Sequence, residues 1–284
     1  MANTIATQVF REKYAKATLE NALRNNLVAE AICKVDRSDV KVIKSPYMTA
    51  PTVTVQALAG TYSPADFTTT NDTLTVAYEF LVSEHIMDFQ STMADFDLFA
   101  GRMDDMMANV AISIDQYVIN KLTDEGTGAY TTPAGGFTTA ANINQIFGDL
   151  VSKVAGYSDA YNNLFLVIEN TDLPGLMVAG ATNGFAVADQ VIRNGKVGSW
   201  MGVDIYVVRS GTFTNTDIGD HTDQNSGHRV FGVKGVATYA APRGIQYEEK
   251  GVTGKTGKEI VVYGYVGFKL WTPKAGLIVD ITIA

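Results

Sequence analysis

The amino-acid sequence predicts an α+β protein, and three stretches carry that prediction. Apolar residues recur at steps of three and four over residues 92–124, which predicts one long amphipathic helix. An amphipathic stretch at 138–157, followed by the short apolar run NLFLVIEN, predicts an α/β-like region. The run EIVVYGYVGF near the end is β-branched and aromatic, which predicts a β-rich tail.

The composition is that of a soluble globular protein, with 46% hydrophobic and 18% charged residues in a chain of 284. The net charge of −8 argues against a dedicated nucleic-acid binder, which usually carries a basic domain. The single cysteine, Cys33, excludes an intrachain disulfide, and its apolar surroundings predict a buried structural thiol. No run approaches the roughly 20 apolar residues of a membrane span, so we expect no membrane partner.

The first 90 residues are expected to hold a helix and a hairpin. Residues 8–34 are amphipathic and predict the helix. The stretches TVTVQAL (52–58) and TLTVAYEF (73–80) alternate and predict the two strands of the hairpin. These strands have few large apolar residues, and a lone hairpin is at best marginally stable in water. We therefore expect the hairpin to lie on the body of the protein or on another subunit.

The long helix at 92–124 has its own start and stop signals. Thr92 and Asp95 form a capping-type start and Gly126 supplies a stop, so the helix would run about 45–50 Å. Its predicted apolar stripe consists of Phe96, Phe99, Met103, Met107, Val110, Ile114 and Tyr117, and is broken at Lys121, with Val118 and Leu122 beside it.

The segments after the long helix alternate between helix and strand. Asp172 is the predicted N-cap of a helix with Pro174 in its first turn. The run VDIYVVRS (203–210) predicts a strand, and GTFTNTDIGDHTDQNSG (211–227) predicts a polar loop.

The stretch EKGVTGKTGKE (249–259) resembles the end of a phosphate-binding P-loop but does not fit that motif. The glycine that the motif needs five residues before Gly254 is replaced by Glu249. A P-loop also leads from a strand into a helix, whereas this stretch leads into a β-branched run. It is therefore predicted to be a hairpin tip, and we expect no nucleotide and no other cofactor.

No arrangement of residues predicts an active site. There is no nucleophile elbow and no zinc-binding spacing in the sequence, so we expect the protein not to be an enzyme. The one cluster that could hold a metal consists of Asp220, His221, Asp223 and His228 in the polar loop. A solvated surface loop explains the same residues, and we favour that interpretation.

The order of these pieces resembles the major capsid protein of tailed double-stranded DNA bacteriophages, which has the Hong Kong 97 (Johnson) fold. The stretch ISIDQYVINKL (112–122) resembles the end of that family's spine helix, which often carries an Asp near its close. Further similar stretches cover most of the remaining chain: NLFLVIENTDLPGLM (163–177), IRNGKVGSWMGVDIYVVRSGTF (192–213) and VGFKLWTPKAGLIVDI (266–281).

The resemblance implies a division of the chain into four parts. Residues 1–44 would be an N-terminal arm and residues 45–85 an E-loop that lies across a neighbouring subunit. Residues 86–138 and 240–271 would form a peripheral domain around the spine helix, and residues 139–239 and 272–284 an axial domain.

The resemblance also implies a function and a set of partners. Copies would assemble into the hexamers and pentamers of an icosahedral phage head, formed in the host bacterial cytoplasm and retained in the virion. A separate scaffolding protein and a portal would be partners. Packaged double-stranded DNA would be contacted non-specifically by the N-terminal arm, through Arg11, Lys13, Lys16 and Arg24.

The implied subunit contact joins the E-loop to a basic hairpin tip. Residues 45–90 contain acids but no Lys or Arg, so they should seek cations on a neighbour. The expected interface residues are Tyr62, Asp66, Phe67 and Asp72 on the E-loop, with Lys250, Lys255 and Lys258 on the hairpin. Some members of the family crosslink subunits through an E-loop lysine; without a lysine here, we expect no such crosslink.

Three alternatives remain open at this point. An encapsulin-type nanocompartment shares the fold but encloses a cargo enzyme. An α/β enzyme built on residues 139–239 would need a convergent polar pocket. Another virion component, such as a tail-tube protein, would be mostly β, and the long helix argues against it.

Overall fold

The structure is a computed structural model of the 284-residue chain. It describes residues 28–48, 68–87, 98–155, 163–182, 196–214 and 227–284, and the single positions 53, 55, 58 and 60. These residues form an α+β fold, which confirms the predicted class.

The described helices and strands follow one another in mixed order. The α-helices are α1 Val28–Ile32, α2 Leu98–Glu125, α3 Ile143–Val154 and α4 Leu173–Thr182. The strands are β1 Lys34–Asp36, β2 Val42–Met48, β3 Thr69–Thr75, β4 Tyr78–Ile86, β5 Gly128–Thr131, β6 Leu164–Glu169, β7 Lys196–Trp200, β8 Val203–Val208, β9 His228–Val233, β10 Ala237–Ala240, β11 Ile245–Gly251, β12 Lys258–Leu270 and β13 Ile278–Thr282.

A five-stranded sheet is built around the 13-residue strand β12. Strand β4 pairs antiparallel with one edge of β12, and β11 and β10 pair in succession with the other. The chain passes from β10 to β11 through residues 241–244, where Arg243 and Gly244 have positive φ angles of 61° and 65°. Strand β1 adds to β10 in parallel.

A six-stranded sheet forms the second layer, with strand order β5–β13–β9–β6–β8–β7. Every residue of β6 is buried, as expected for a central strand covered on both faces. Helix α3 packs beside β7, where the Phe147 and Trp200 rings lie 6.1 Å apart.

Helix α2 packs against strands of both sheets and so joins them into one core. On the five-stranded sheet, its Tyr117 ring lies 5.1 Å from that of Tyr78 and 5.7 Å from that of Phe80. Among the described residues of the predicted stripe, Val110, Ile114 and Tyr117 are buried and Met103 and Met107 are half-buried. Met106, which is outside the predicted stripe, is buried. The long helix is thus confirmed over the described residues, and its predicted first turn at 92–97 lies outside them.

The predicted hairpin is replaced by a different pair of strands. A two-stranded ribbon joins β2 to β3, with Ser45 opposite Asp72. The described positions of TVTVQAL, residues 53, 55 and 58, belong to no strand. The single strand predicted at 73–80 is two strands: β3 ends at Thr75 in the ribbon, and β4 begins at Tyr78 in the five-stranded sheet.

The N-terminal segment is part of the core from residue 28 onward. Helix α1 ends at Ile32, so the predicted helix stops short of residue 34, and the chain continues directly into β1. The backbone N–H of Ala29 donates to the Asp115 carboxylate on α2 over 2.6 Å, with both residues buried. Cys33 is buried as predicted, and burial raises its thiol pKa well above the ordinary value.

Some elements sit in a different sheet from the one that the predicted domain limits suggest. Strand β5 lies in the six-stranded sheet beside β13, and β10 lies in the five-stranded sheet. Strand β4 likewise belongs to the five-stranded sheet rather than to the ribbon. The division into arm, E-loop, peripheral and axial parts itself stays a prediction. Across the described ranges, none of the helices is both long and apolar enough to cross a membrane.

The Asp115 carboxylate is expected to hold the segment 28–36 against α2. Asp115→Ala leaves the buried Ala29 N–H without its acceptor, which should cost about 1–3 kcal/mol of the free energy of unfolding. Amide hydrogen exchange in residues 28–36, followed by mass spectrometry, should quicken. Asp104→Ala, an exposed change on the same helix, is the control. Equal exchange rates in the two variants would contradict this role.

Candidate functional site

Three described positions in the segment between β2 and β3 carry exposed apolar side chains. Val53 and Val55 are 86% and 93% exposed, and Leu58 is fully exposed. Met48, at the end of β2, is also mostly exposed. Apolar residues concentrated in this way mark a surface that another molecule covers.

The base of the ribbon is fixed to its own subunit. Leu74 is buried and lies against β12, where a side chain at Gly267 would clash with it and with the Thr75 backbone. The Asp72 carboxylate accepts hydrogen bonds from the Thr272 backbone N–H at 2.7 Å and from its hydroxyl at 3.0 Å. Asp72, expected to face a neighbour's lysine, therefore has partners in its own chain.

The face of the five-stranded sheet that points away from α2 carries a second apolar surface. Ile260, Val262 and Val266 face the core, so the alternate residues of β12 face outward. These outward residues, together with Leu81 opposite Tyr263, define the outer sheet face: Leu81, Val261, Tyr263 and Tyr265. Val261 is buried and Tyr263 half-buried within the subunit, so Leu81 and Tyr265 form the exposed part of this face. Leu81 is 54% exposed and Tyr265 is 41% exposed.

A cavity of about 500 Å³ adjoins this face at the base of the ribbon. Its apolar wall includes Val40, Pro242 and Tyr265, and the Asp39–Arg243 ion pair stands at its rim. The cavity extends the outer sheet face toward the ribbon, so the two form a continuous groove with apolar walls.

The predicted hairpin tip is confirmed, since β11 and β12 pair from Gly251 opposite Lys258 to Ile245 opposite Gly264. Gly257 has a φ of 108°, and any side chain there would meet the Ile86 carbonyl oxygen. This glycine therefore serves the turn rather than a phosphate.

Two of the three predicted interface lysines are paired within the hairpin. Lys250 lies 2.9 Å from the Glu248 carboxylate and Lys258 lies 3.0 Å from the Glu249 carboxylate. The hydrogen bond from Lys250 holds the pKa of Glu248 below its usual range. Lys255 makes no ion pair with the described residues, so it is the lysine most available to a neighbour.

A buried ion cluster holds the root of the polar loop. The Arg229 Nε donates to the Asp172 carboxylate over 2.5 Å, and its terminal nitrogen lies 3.3 Å from Glu169. Glu169 also accepts from the Gly211 N–H at 3.0 Å. Asp172 stands directly before α4 as predicted, but its carboxylate accepts from the Glu169 N–H and Arg229. This cluster ties β6, β9 and the start of the loop together.

Helix α2 clamps the same loop root from the other side. The Gln116 side-chain amide donates to the Gly211 carbonyl at 3.1 Å, and the Asn120 amide donates to the Thr212 carbonyl at 2.9 Å. Phe213 is buried beneath the Arg229 guanidinium, 5.3 Å from its ring centroid. The loop therefore leaves the body from a rigid base.

The predicted metal ligands are mostly outside the described residues, namely Asp220, His221 and Asp223. The described member, His228, has its Nδ1 2.8 and 3.0 Å from the two carboxylate oxygens of Asp280. Among the residues that the structure describes, no three His, Cys, Asp or Glu side chains come together to hold a metal. Other predicted site residues also lie outside the described ranges: Arg11, Lys13, Lys16, Arg24, Tyr62, Asp66 and Phe67.

The outer sheet face was missed by the sequence reasoning, although the sequence carries a signal for it. In the stretch VVYGYVGF, large apolar or aromatic residues occupy both alternating sets of positions. Such a strand is expected to be covered on both faces. The Arg229 cluster had no comparable signal, because its three members are separated by up to 60 residues.

No protein-family model and no curated protein matches the chain. Solved structures match nearly its whole length, and they are phage or gene-transfer-particle capsids. The capsid structure of the cyanophage P-SCSP1u aligns with a TM-score of 0.71 at 12% identity, covering 97% of this chain and 92% of that chain.

Two further matches agree. The mature capsid of bacteriophage PhiM1 gives a TM-score of 0.63 at 14% identity, covering 91% of this chain and 87% of that chain. The capsid of the empty GTA particle aligns with a TM-score of 0.63 at 15% identity, covering 92% of this chain and 91% of that chain. The fold is therefore that of these capsid proteins, as the resemblance in the sequence implied.

Removing the cation from the buried cluster should destabilise the protein strongly. Arg229→Met leaves Glu169 and Asp172 buried without a counter-charge, which typically costs about 3–5 kcal/mol. Arg243→Met removes an exposed ion pair and should cost less than about 1 kcal/mol. Denaturant unfolding of the two variants and the wild type measures the difference. Similar losses in both would contradict a central role for the cluster.

Proposed function

We propose that this chain is the major capsid protein of a tailed bacteriophage, a structural protein without enzymatic activity. Many copies form the hexamers and pentamers of an icosahedral head that encloses double-stranded DNA. The observation that carries the proposal is that the whole chain, not one domain of it, has the fold of capsid proteins. A fold alone does not determine a function, so the surfaces supply the second argument.

The contact between subunits joins two different surfaces of the same chain. The segment between β2 and β3, with Val53, Val55 and Leu58 exposed, offers apolar side chains, and the outer sheet face offers apolar side chains to receive them. Asp72 holds the base of the ribbon to Thr272 of its own subunit, and the segment beyond it lies on the next copy. A contact between unlike surfaces repeats head to tail, and it closes into rings when the rotation between copies allows closure.

The energy available from this contact is large enough to drive association. Burying three aliphatic side chains contributes roughly 5–9 kcal/mol in total. Lost translational and rotational freedom, and the ordering of side chains, offset part of that amount. Leu81 and Tyr265 of the outer sheet face add buried apolar area to the contact. The net free energy of one contact is therefore modest, and a closed ring of such contacts is stable.

The remaining partners belong to the same proposal. A separate scaffolding protein and a portal guide assembly in the bacterial cytoplasm, and the protein remains in the virion. Packaged DNA is contacted without sequence preference through Arg11, Lys13, Lys16 and Arg24 in the N-terminal arm. The division into arm, E-loop, peripheral domain and axial domain describes how each part of the subunit serves the shell.

Electron microscopy tests assembly directly. The purified chain, expressed alone and with the products of neighbouring genes, should form closed shells or capsomer rings in negative stain. Leu58→Asp and Leu81→Asp should each abolish them while leaving the free energy of unfolding nearly unchanged, because both side chains are exposed in the subunit.

Leu58→Met keeps an apolar side chain and is the matched control, which should assemble. Shells formed by Leu58→Asp would overturn the proposed contact but not the capsid function. A 30.6 kDa monomer that never assembles under any of these conditions would overturn the function itself.

Charge reversal on the hairpin tip tests the electrostatic part of the contact. The acidic stretch 45–90 of one copy should attract Lys255 of the next, since Lys250 and Lys258 already have partners. Lys255→Glu should lower the particle yield, and the defect should shrink at high salt because screening weakens exposed pairs. Lys255→Arg keeps the charge and should assemble normally. Wild-type yields from Lys255→Glu at low salt would rule out the pairing.

A further inference from the structure

A second cleft separates the ribbon from the end of the five-stranded sheet. Its volume is about 440 Å³. One wall comes from β2 of the ribbon, another from β1, and the floor from β10 and the turn after β12. The cleft is distinct from the outer groove described above, because the two share no lining residue.

Three lysines converge on this cleft from three different elements. Lys34 comes from β1, Lys44 from β2 and Lys274 from the turn after β12. Each is exposed, and none forms an ion pair with a described residue. Lys34 and Lys44 belong to the basic segment 1–44 and Lys274 to the acidic remainder of the chain, so the fold brings cations from both parts together.

The two carboxylates that line the cleft are engaged elsewhere. Asp36 accepts from the Ser38 backbone N–H at 2.9 Å and from the Ser38 hydroxyl at 2.5 Å. The hydrogen bonds from Ser38 hold the pKa of Asp36 below its usual range. Asp72 accepts both donors of Thr272. Both carboxylates are held by local hydrogen bonds and form no ion pair with the lysines, although the charge of Lys34 also lowers the pKa of Asp36. The three lysines and two aspartates of the lining leave a formal net charge of +1.

The floor of the cleft has a buried hydroxyl with a proton to donate. Thr238 is buried, and its hydroxyl oxygen accepts from the Trp271 indole N–H at 2.8 Å. Within the described residues the hydroxyl proton has no acceptor, and Thr238 lines the cleft. A buried donor of this kind is normally satisfied by water or by a ligand.

We propose that this cleft binds a phosphate-type anion, either a free polyphosphate or the phosphates of a nucleic-acid backbone. Lysine ammonium groups act as point charges and commonly bind phosphate. Three of them match the multiple charges of such a ligand, and the Thr238 hydroxyl donates to one of its oxygens. The site lies within one subunit, so it does not depend on the proposed assembly.

Equilibrium dialysis of the purified full-length chain against inorganic tripolyphosphate tests the site. At about 0.01 M salt, where screening is weak, the wild type should bind with a saturable isotherm. The double variant Lys44→Gln/Lys274→Gln should bind about tenfold more weakly or worse, the factor expected for losing two water-screened charge contacts. Trp271 lies in the cleft, so its fluorescence should change on binding, and Trp271→Phe should remove that change.

The matched control is Lys153→Gln/Arg209→Gln, which removes the same charge from two exposed cations far from the cleft in the fold. It should bind as the wild type does. A competition experiment with single-stranded oligothymidylate identifies which phosphate ligand the cleft binds. If the oligonucleotide displaces tripolyphosphate, the ligand is a nucleic-acid backbone; if it does not, the ligand is a free anion. Equal weakening in both double variants, or no saturable binding by the wild type, would overturn the proposal.

Discussion

Strand β12 imposes the constraint on which the rest of the structure depends. It carries large apolar or aromatic side chains on both faces, so both faces are expected to be covered. Helix α2 covers one face with Ile114 and Tyr117, and this requirement explains why the helix is long and why it reaches both sheets. On the other face, Leu81 and Tyr265 stay exposed in the subunit. The contact between copies that we propose would cover them.

Charged groups in the subunit divide into two energetic classes. The Arg229 cluster is buried, so each charge depends on the others, and it fixes the root of the loop that begins at Gly211. The pairs on the hairpin, such as Lys250–Glu248, are exposed and contribute little to stability. Exposed pairs exchange partners easily, which suits a surface that meets a neighbour, whereas the buried cluster suits a part of the subunit that keeps its shape.

Elements that local periodicity encodes were predicted correctly from the sequence. Features that depend on contacts between residues far apart in the chain were missed. The helix α2 and the hairpin β11–β12 were correct, because their spacing and glycine positions are local signals. The predicted partner strand was wrong: the alternating stretch TVTVQAL was predicted to pair, whereas VIKSPYM pairs with β3. Pro46 is tolerated there because an outer edge of a two-stranded ribbon does not need its N–H. Alternation also continues unbroken across Val76 and Ala77, so periodicity could not show that the chain changes sheets there. The Arg229 cluster and the anchor from Asp72 to Thr272 depend on contacts across 57 and 200 residues, which no local pattern contains.

An exposed apolar ribbon would ordinarily be an aggregation hazard, since both edges of β2 and β3 have unpaired backbone groups. Several features limit that hazard here. Pro46 removes a donor from one edge, Asp72 lies on the other strand, and the base is tied to Thr272 in a fixed direction. The ribbon itself carries one cation, Lys44, and one acid, Asp72, so charge neither favours nor opposes pairing of two ribbons. The outer sheet face lies beside the hairpin tip that carries Lys255. If identical subunits associate as we propose, the contact joins unlike surfaces, and such contacts build a closed ring when the rotation between copies allows closure.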